Sequence, residues 1–337
     1  MRTRRWLAAG LGILISVIFL RIAFLNLEFA AVWEEIQKAQ TGWLLVGAVV
    51  YFGAVSLISW RWQFLLRAMR FVPLTRLIPL VAIGYMGNNV YPFRTGEILR
   101  IALLRRNHQV PLAQATTTVI VERVFDGLVM LTFIIVSLQF IPIESQQVHL
   151  VATFATPIFL TALIVFFALA ARPNMLRRLR ETVSRFLPEK LRKPFSSLVE
   201  GVLSGLEGLR SPVDLAGAVV ASFLSWGVEA SVYWLVSFAF DLQVGYPVML
   251  LVVGVVNLAG LLPASPGQIG VFEFFVGVVL AAVGIQDERA RAFALVVHVV
   301  IWLPVTVAGF TFLIRQGLGW SAITGAESLE RQTAPQA

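Results

Sequence analysis

Apolar residues dominate this chain in runs long enough to cross a membrane as helices. A helix needs about 20 apolar residues to span the hydrocarbon core of a bilayer. Six runs of about this length occur, at 6–25, 43–59, 111–140, 150–171, 213–240 and 292–314. The pattern therefore predicts an all-α polytopic membrane protein with six crossings.

Two further apolar segments, near 77–106 and 246–283, are interrupted by polar residues. Both contain the pattern P-x-x-x-G-[E/Q], which begins at Pro92 in the first and at Pro263 in the second. Interrupted hydrophobic segments at corresponding positions of two halves are typical of transporters built as inverted repeats. We therefore expect two re-entrant helical hairpins, one in each half.

Basic residues predict how the halves are oriented, because Lys and Arg concentrate in cytoplasmic loops. They cluster at 2–5, at 100–106 and at 172–210, where nine occur. The first hairpin then enters from the cytoplasm and the second from outside, so the halves, 6–140 and 150–315, have opposite orientations. Both termini are expected on the cytoplasmic side of the cytoplasmic (inner) membrane.

The remaining segments are expected at the membrane surface. Residues 28–38 have apolar positions at helical spacing and are predicted to lie flat on the outer interface. Trp60-Arg61-Trp62 is expected to form an aromatic belt with a positive flank at the cytoplasmic interface. Segment 172–210 is predicted to be an amphipathic cytoplasmic linker on anionic lipid, 287–291 an outer loop, and 320–337 a disordered tail.

Composition supports this class and excludes others. The chain is 58% hydrophobic and 14% charged, with a mean hydropathy of +0.81, far from the average of soluble domains. It has no cysteine, which rules out disulfides, thiolate metal sites and Cys nucleophiles. The net charge of +8 is explained by membrane flanks and predicts no nucleic-acid partner. No metal cluster or catalytic motif is present, so we expect neither an enzyme nor a cofactor.

The hairpin tips carry the first candidate chemistry. Residues 95–97 and 265–268 predict half-helix N-termini, the second with a capping box from Ser265 to Gln268. Unpaired N–H groups at such ends favour an anion such as phosphate, and Arg94 adds a positive charge. The candidate contacts are Asn88, Asn89, Arg94, Thr95, Gly96, Glu97, Arg100, Asn257, Ser265, Gly267, Gln268 and Glu273. In the alternative interpretation the tips are packed loops, Arg94 pairs with Glu97, and the asparagines satisfy open backbone.

Charged residues within the run 111–140 are the second candidate. Glu122, Arg123 and Asp126 share one helix surface, so that Arg123 faces both carboxylates. Each unpaired charge would cost about 2.5 to 3.5 kcal/mol in a membrane. The surplus carboxylate could bind a cationic headgroup, carry a proton, or pair with Arg94 or Arg100; the alternative is a purely structural ion pair.

The second half contributes isolated ionisable residues. Glu229 and His298 are candidates for a proton relay, because ionisable side chains within apolar segments often mark ion or substrate pathways. The alternative for His298 is a hydrogen bond between helices.

The motifs together resemble a known family. Asn89-x-x-Pro92-x-Arg94-x-Gly96-Glu97-x-x-Arg100, Glu122-Arg123-x-x-Asp126 and Pro263-x-Ser265-Pro266-Gly267-x-x-Gly270-x-x-Glu273 are similar to the flippase-like membrane domain of lysylphosphatidylglycerol synthases, shared with stand-alone UPF0104-type membrane proteins. The resemblance covers about 6–315. It implies the lipid-translocating part without the soluble aminoacyl-transferase domain.

We therefore predict a flippase or transporter for a lipid with an anionic or zwitterionic headgroup, such as an aminoacyl, glyco- or polyprenyl-phosphate lipid. Two alternatives remain: a proton-coupled small-solute transporter that uses Glu122 and Asp126, and a membrane scaffold that recruits a lipid-modifying glycosyltransferase through 172–210. A lipid glycosyltransferase or aminoacyl transferase is the expected protein partner.

Overall fold

The computed structural model describes residues 2–25, 28–67, 69–91, 95–141, 211–260 and 264–317, and a few residues between 178 and 196. The helices described there are α1 (Arg2–Ala23), α2 (Phe29–Lys38), α3 (Thr41–Leu66), α4 (Leu74–Val90), α5 (Thr95–His108), α6 (Leu112–Phe140), α7 (Pro212–Ala239), α8 (Tyr246–Ala259), α9 (Val271–Ala282) and α10 (Asp287–Arg315). A 3₁₀ turn (Pro266–Gln268) precedes α9. The predicted all-α class is confirmed for the described residues.

Among the described helices, three are long and apolar enough to cross a membrane: α3, α7 and α10. The predicted crossing at 150–171 lies outside the described residues, and α6 carries three charged side chains in its middle. The full set of six crossings therefore stays a prediction. The predicted linker at 172–210 lies largely outside the described residues, and the tail at 320–337 lies entirely outside them.

The predicted outer loop at 287–291 is wrong. Helix α10 begins at Asp287, and Asp287 and Glu288 occupy its first turn. Carboxylates in this position interact favourably with the positive end of the helix dipole. Arg291 lies one turn further on, is 8% exposed, and donates to the carbonyl oxygens of Glu273 and Phe274 at 3.1 and 3.2 Å.

The helices pack in a reciprocal pattern. Helix α4 packs against α10, and α8 packs against α6, so the first arm of each predicted hairpin contacts the helix that follows the other one. The most extensive helix–helix contact in the described part of the chain is that of α3 with α7. Helix α5 packs on α4 and α9 on α8, while α1 packs on α9 and α2 on α10.

Helices α4 and α5 approach so closely that their contact requires glycine. A Cβ atom on Gly96 would lie 1.8 Å from the carbonyl oxygen of Gly84, and one on Gly87 would lie 2.6 Å from the Cα of Gly96. No real side chain fits such distances. The glycine of the first P-x-x-x-G-E pattern therefore sets how the two arms pack.

The second tip differs from the predicted capping box. The Ser265 side chain makes no cap hydrogen bond to the following turn, and Gly267 (φ +68°) interrupts the helix. Helix α9 begins only at Val271, where the Glu273 carboxylate accepts the backbone N–H of Gly270 at 2.6 Å. The cap is thus supplied by Glu273 and not by Ser265 and Gln268.

Candidate functional site

Three arginines and three carboxylates form a charged cluster between α3, α5 and α6. Arg61 Nη1 lies 2.5 Å from Asp126 Oδ1, and Arg100 contacts Glu122. Arg123 lies 3.2 Å from Asp126 Oδ2 and 3.5 Å from Glu97 Oε1. The pairing of Arg100 with the surplus carboxylate of α6 is confirmed, and the shared surface of Arg123 and Asp126 is present.

The sequence interpretation of Arg61 is wrong. Arg61 and Trp62 were expected at an interface, but they are 1% and 0% exposed. Arg61 also lies 3.8 Å from Glu122, so it serves both buried carboxylates of α6. The signal that could have found it is the presence of two carboxylates, Glu122 and Asp126, within one apolar run, because such charges need cations nearby.

Tryptophans enclose this cluster and leave few of its charges to solvent. The guanidinium of Arg100 lies 4.8 Å from the ring centre of Trp62, a cation–π distance. Trp226 on α7 donates to Asp126 Oδ1 at 2.7 Å, and Trp62 donates to Thr118 at 2.9 Å. Glu122 is 0% exposed, whereas the Arg123 side chain remains 40% exposed. Arg123 is therefore the accessible cation of the cluster.

A cavity of about 780 Å³ lies beside the charged cluster and is lined by residues of both halves. From the first half come Asn88, Asn89, Glu97, Arg100 and Arg123. From the second half come Glu229, Asn257, Ser265, Gly267, Gln268 and His298. Eleven of the sequence-predicted residues are thus brought to one space.

Aromatic residues that the sequence interpretation did not single out complete the wall. They are Tyr51, Tyr85, Tyr91, Trp226, Tyr233, Phe272 and Trp302. These side chains look like ordinary helix-packing residues in sequence, and no local pattern separates them from the other aromatics. Only the packing of α3, α4, α7 and α10 around one space identifies them.

Several residues of the cavity wall carry buried polar atoms without a hydrogen-bond partner among the described residues. Asn88 Oδ1, Arg100 Nε and Trp302 Nε1 are examples. Thr95 Oγ1, at the start of α5, is in the same state. Buried polar atoms are nearly always hydrogen-bonded in folded proteins. Unpartnered atoms of this kind can form hydrogen bonds with a polar ligand.

Asn89 and Asn257 each make a structural hydrogen bond and also line the cavity. Asn89 donates to Thr306 Oγ1 at 2.9 Å and to the Trp302 carbonyl at 3.4 Å, which joins α4 to α10. Asn257 donates to the Val253 carbonyl of its own helix at 2.9 Å. Both still line the cavity, so each combines a structural bond with exposure to the site.

In the second half, Glu273 and His298 form a buried pair. His298 Nδ1 lies 2.6 Å from Glu273 Oε1, and its ring stacks on Phe272 with centroids 4.2 Å apart. Glu273 is 2% exposed and does not line the cavity. The predicted interhelical hydrogen bond of His298 is confirmed.

The two halves place comparable pairs at comparable positions. Glu97 is the third residue of α5 and meets Arg123 on α6. Glu273 is the third residue of α9 and meets His298 on α10. Each return arm thus begins with a carboxylate that pairs with the next helix. Arg94, the other predicted cation of the first tip, lies outside the described residues.

Helices of membrane-crossing length around a cavity with polar residues in its wall define a membrane protein with transmembrane helices. The family model described as "Lysylphosphatidylglycerol synthase TM region" matches residues 10–309, and the chain belongs to this family. It is 24% identical to "Glycosyltransferase AglD" of Haloferax volcanii over 88% of this chain and 52% of that protein. The chain therefore spans about half the length of that relative.

Two shorter relatives match over most of their length. A "UPF0104 membrane protein" of Methanothermobacter thermautotrophicus is 24% identical over 88% of this chain and 92% of that protein. One of Methanocaldococcus jannaschii is 20% identical over 90% of this chain and 93% of that protein. The predicted family resemblance is confirmed.

Proposed function

We propose that this protein is a flippase that moves a lipid with an anionic or zwitterionic headgroup across the cytoplasmic membrane. The observation that carries the proposal is a cavity whose wall includes polar residues of both hairpin segments. The family description names a phospholipid product, lysylphosphatidylglycerol. A space with polar side chains in its wall, bounded by membrane-crossing helices, suits a headgroup whose apolar chains stay in lipid.

The packing supports an inverted repeat with two re-entrant hairpins. Helix α5 has 14 residues and α9 has 12, fewer than the roughly 20 needed to cross the hydrocarbon core alone. The reciprocal contacts of α4 with α10 and of α8 with α6 are those expected of two halves related by a two-fold axis. In transporters with this organisation the substrate site lies between the repeats.

Arg123 and Arg94 are the proposed contacts for the headgroup phosphate. Arg123 lines the cavity and is partly exposed, and a guanidinium can hold two phosphate oxygens at once. Arg100 also lines the cavity, but it is buried against Glu122. We therefore assign Arg100 to holding the site and Arg123 to meeting the substrate.

The test is translocation of fluorescent phosphatidylglycerol in proteoliposomes, followed by chemical quenching of the outer leaflet. Arg123→Gln and Arg94→Gln should each slow translocation about tenfold or more, because hydrogen bonds to charged groups contribute about 1.5–3 kcal/mol. Folding should survive Arg123→Gln, since Asp126 keeps Arg61 at 2.5 Å.

Arg106→Gln is the matched control, because Arg106 is an exposed residue of the last turn of α5 and is absent from the cavity wall. It should translocate lipid at the parent rate. Parent-like rates in both well-folded cavity variants would place the substrate elsewhere and favour the scaffold function.

A second function is supported by the name of one relative. AglD is called a glycosyltransferase and is nearly twice the length of the region that matches this chain. We propose that the membrane part can also work beside a lipid-modifying glycosyltransferase or aminoacyl transferase. Co-purification of such an enzyme with the parent, and its loss when the basic residues of 172–210 are replaced by glutamine, would support this partner.

A further inference from the structure

Glu229 stands apart from the carboxylates of α5, α6 and α9 that are described above. It lies on α7, is 5% exposed, and lines the cavity wall. Each of the others has a basic partner: Glu97 has Arg123, Glu122 has Arg100, Asp126 has Arg61, and Glu273 has His298. Among the described residues, no side chain is hydrogen-bonded or ion-paired to Glu229.

The surroundings of Glu229 make its ionised form costly. The titratable groups that interact with it are Tyr51 of α3, Tyr85 of α4, Asp126 of α6 and Tyr233 of α7. Further along the wall of the same cavity lie Glu97, Arg100, Arg123 and His298. Asp126 is the charged group that acts on it most directly, and it is negative. The one titratable residue of α8 is Tyr246, whose hydroxyl donates to the Gly227 carbonyl at 2.7 Å. A buried carboxylate without a cation is strongly disfavoured.

We propose that Glu229 is a proton-binding site that couples lipid movement to a pH gradient. This inference rests on the proposed flippase function. In it, a proton from water on one side binds a carboxylate oxygen of Glu229 and is returned to water on the other side.

The charge balance of the site gives the reason for coupling. Arg61, Arg100 and Arg123 balance Glu97, Glu122 and Asp126, so the charged cluster is neutral. An ionised Glu229 would then add one negative charge beside the cavity and oppose an anionic headgroup. Protonation removes that charge, so the proton and the headgroup each favour binding of the other.

The first test is spectroscopic and needs no lipid transport. Infrared spectra of the purified protein should show, at neutral pH, the C=O band of a protonated carboxyl group that Glu229→Gln removes. Glu34→Gln is the control, because Glu34 is 67% exposed and pairs with Lys38 at 2.9 Å. The control should keep the band. Absence of the band in the parent protein would overturn the proposal.

The second test measures coupling in proteoliposomes with fluorescent phosphatidylglycerol. Carrying one proton with a singly charged lipid should produce about tenfold asymmetry between leaflets for each pH unit of gradient, since one unit corresponds to a tenfold ratio. Glu229→Gln, which stays neutral, should still equilibrate the lipid but should show no asymmetry. A variant that responds to the gradient like the parent would overturn the coupling.

The two tests separate this inference from the function on which it rests. A carboxyl band without any lipid movement by the parent would refute the flippase function and leave the proton site standing. If the parent protein moves lipid at the same rate and to the same distribution with and without the pH gradient, the flippase function stands and the coupling is refuted. If Glu229→Gln unfolds, Glu229→Asp provides the coupling test, because it keeps a titratable carboxyl group and should keep the asymmetry.

Discussion

Arg61 of α3 reaches Asp126 of α6 at 2.5 Å, and the two side chains are joined there by Trp226 of α7. This contact ties three helices together at a point that is almost completely buried. Arg61 also keeps Glu122 within 3.8 Å. One of the cations that pair with the carboxylates of α6 thus comes from a residue 65 positions earlier in the chain than Asp126.

Replacing Arg61 should lower the free energy of unfolding more than breaking an exposed ion pair does. Arg61→Met leaves Asp126 and Glu122 short of a buried cation, which costs about 3–5 kcal/mol when one partner of a buried pair is lost. Arg61→Lys should be intermediate, because an ammonium lacks the planar fork of the guanidinium. Unfolding in mild detergent, followed by tryptophan fluorescence, measures both.

The control for Arg61 is Arg67, just beyond the end of the same helix. Arg67 contacts Asp214 at 3.2 Å, but its side chain is 37% exposed. Exposed pairs contribute about 0–1 kcal/mol, so Arg67→Met should change stability little. Equal losses for Arg61→Met and Arg67→Met would show that burial does not govern the cluster.

Gly96→Ala should separate α4 from α5. The added methyl group would lie 1.8 Å from the Gly84 carbonyl oxygen, so the arms must move apart, and overpacking of this kind costs about 1–3 kcal/mol or more. The expected result is a lower unfolding temperature together with loss of lipid translocation.

Gly127→Ala is the matched substitution, because nothing lies within 4 Å of the position of its added Cβ. Replacing a helical glycine by alanine in open space should stabilise α6 by roughly 0.5–1 kcal/mol. A Gly96→Ala variant as stable as Gly127→Ala would contradict the close contact of the arms.

The loss of stability in Glu273 variants should depend on how many hydrogen bonds the new side chain can still accept. Glu273→Ala leaves the Gly270 N–H and His298 without their partner, and an unsatisfied buried group costs about 1–3 kcal/mol. Glu273→Gln keeps one oxygen and should lose less. The Nδ1 signal of His298 in nitrogen-15 NMR should move in both variants, because its hydrogen-bond partner has changed, and an unchanged signal would refute the pair.

The predicted orientation can be tested with single cysteines, because the chain has none of its own. Arg2→Cys, Lys190→Cys and Glu330→Cys should resist an impermeant thiol reagent in intact cells if these segments are cytoplasmic. Lys38→Cys, on the exposed face of α2, should react, since α2 is predicted outside. The opposite labelling pattern would reverse the topology.

The sequence by itself determined the class of protein, most helix positions and most of the candidate site. Apolar runs and polar interruptions are local properties, and they located α4 to α10 within a few residues, apart from the helix starts at Asp287 and Val271. They ended the α3 run at residue 59, whereas α3 continues to Leu66. The charges of α6 also demanded cations, because a membrane or protein interior penalises isolated charge. That reasoning offered Arg94 and Arg100 as alternatives, and Arg100 contacts Glu122.

Only the tertiary structure decided which distant residues meet. Arg61 follows an apolar run and stands between two tryptophans, a local pattern shared by interfacial and buried arginines, so its burial depends on how α3, α6 and α7 pack. The same holds for the contrast between paired Glu273 and unpaired Glu229. Pairing is a matter of distances between separate helices, and a one-dimensional pattern records the charges without recording which of them end up within reach.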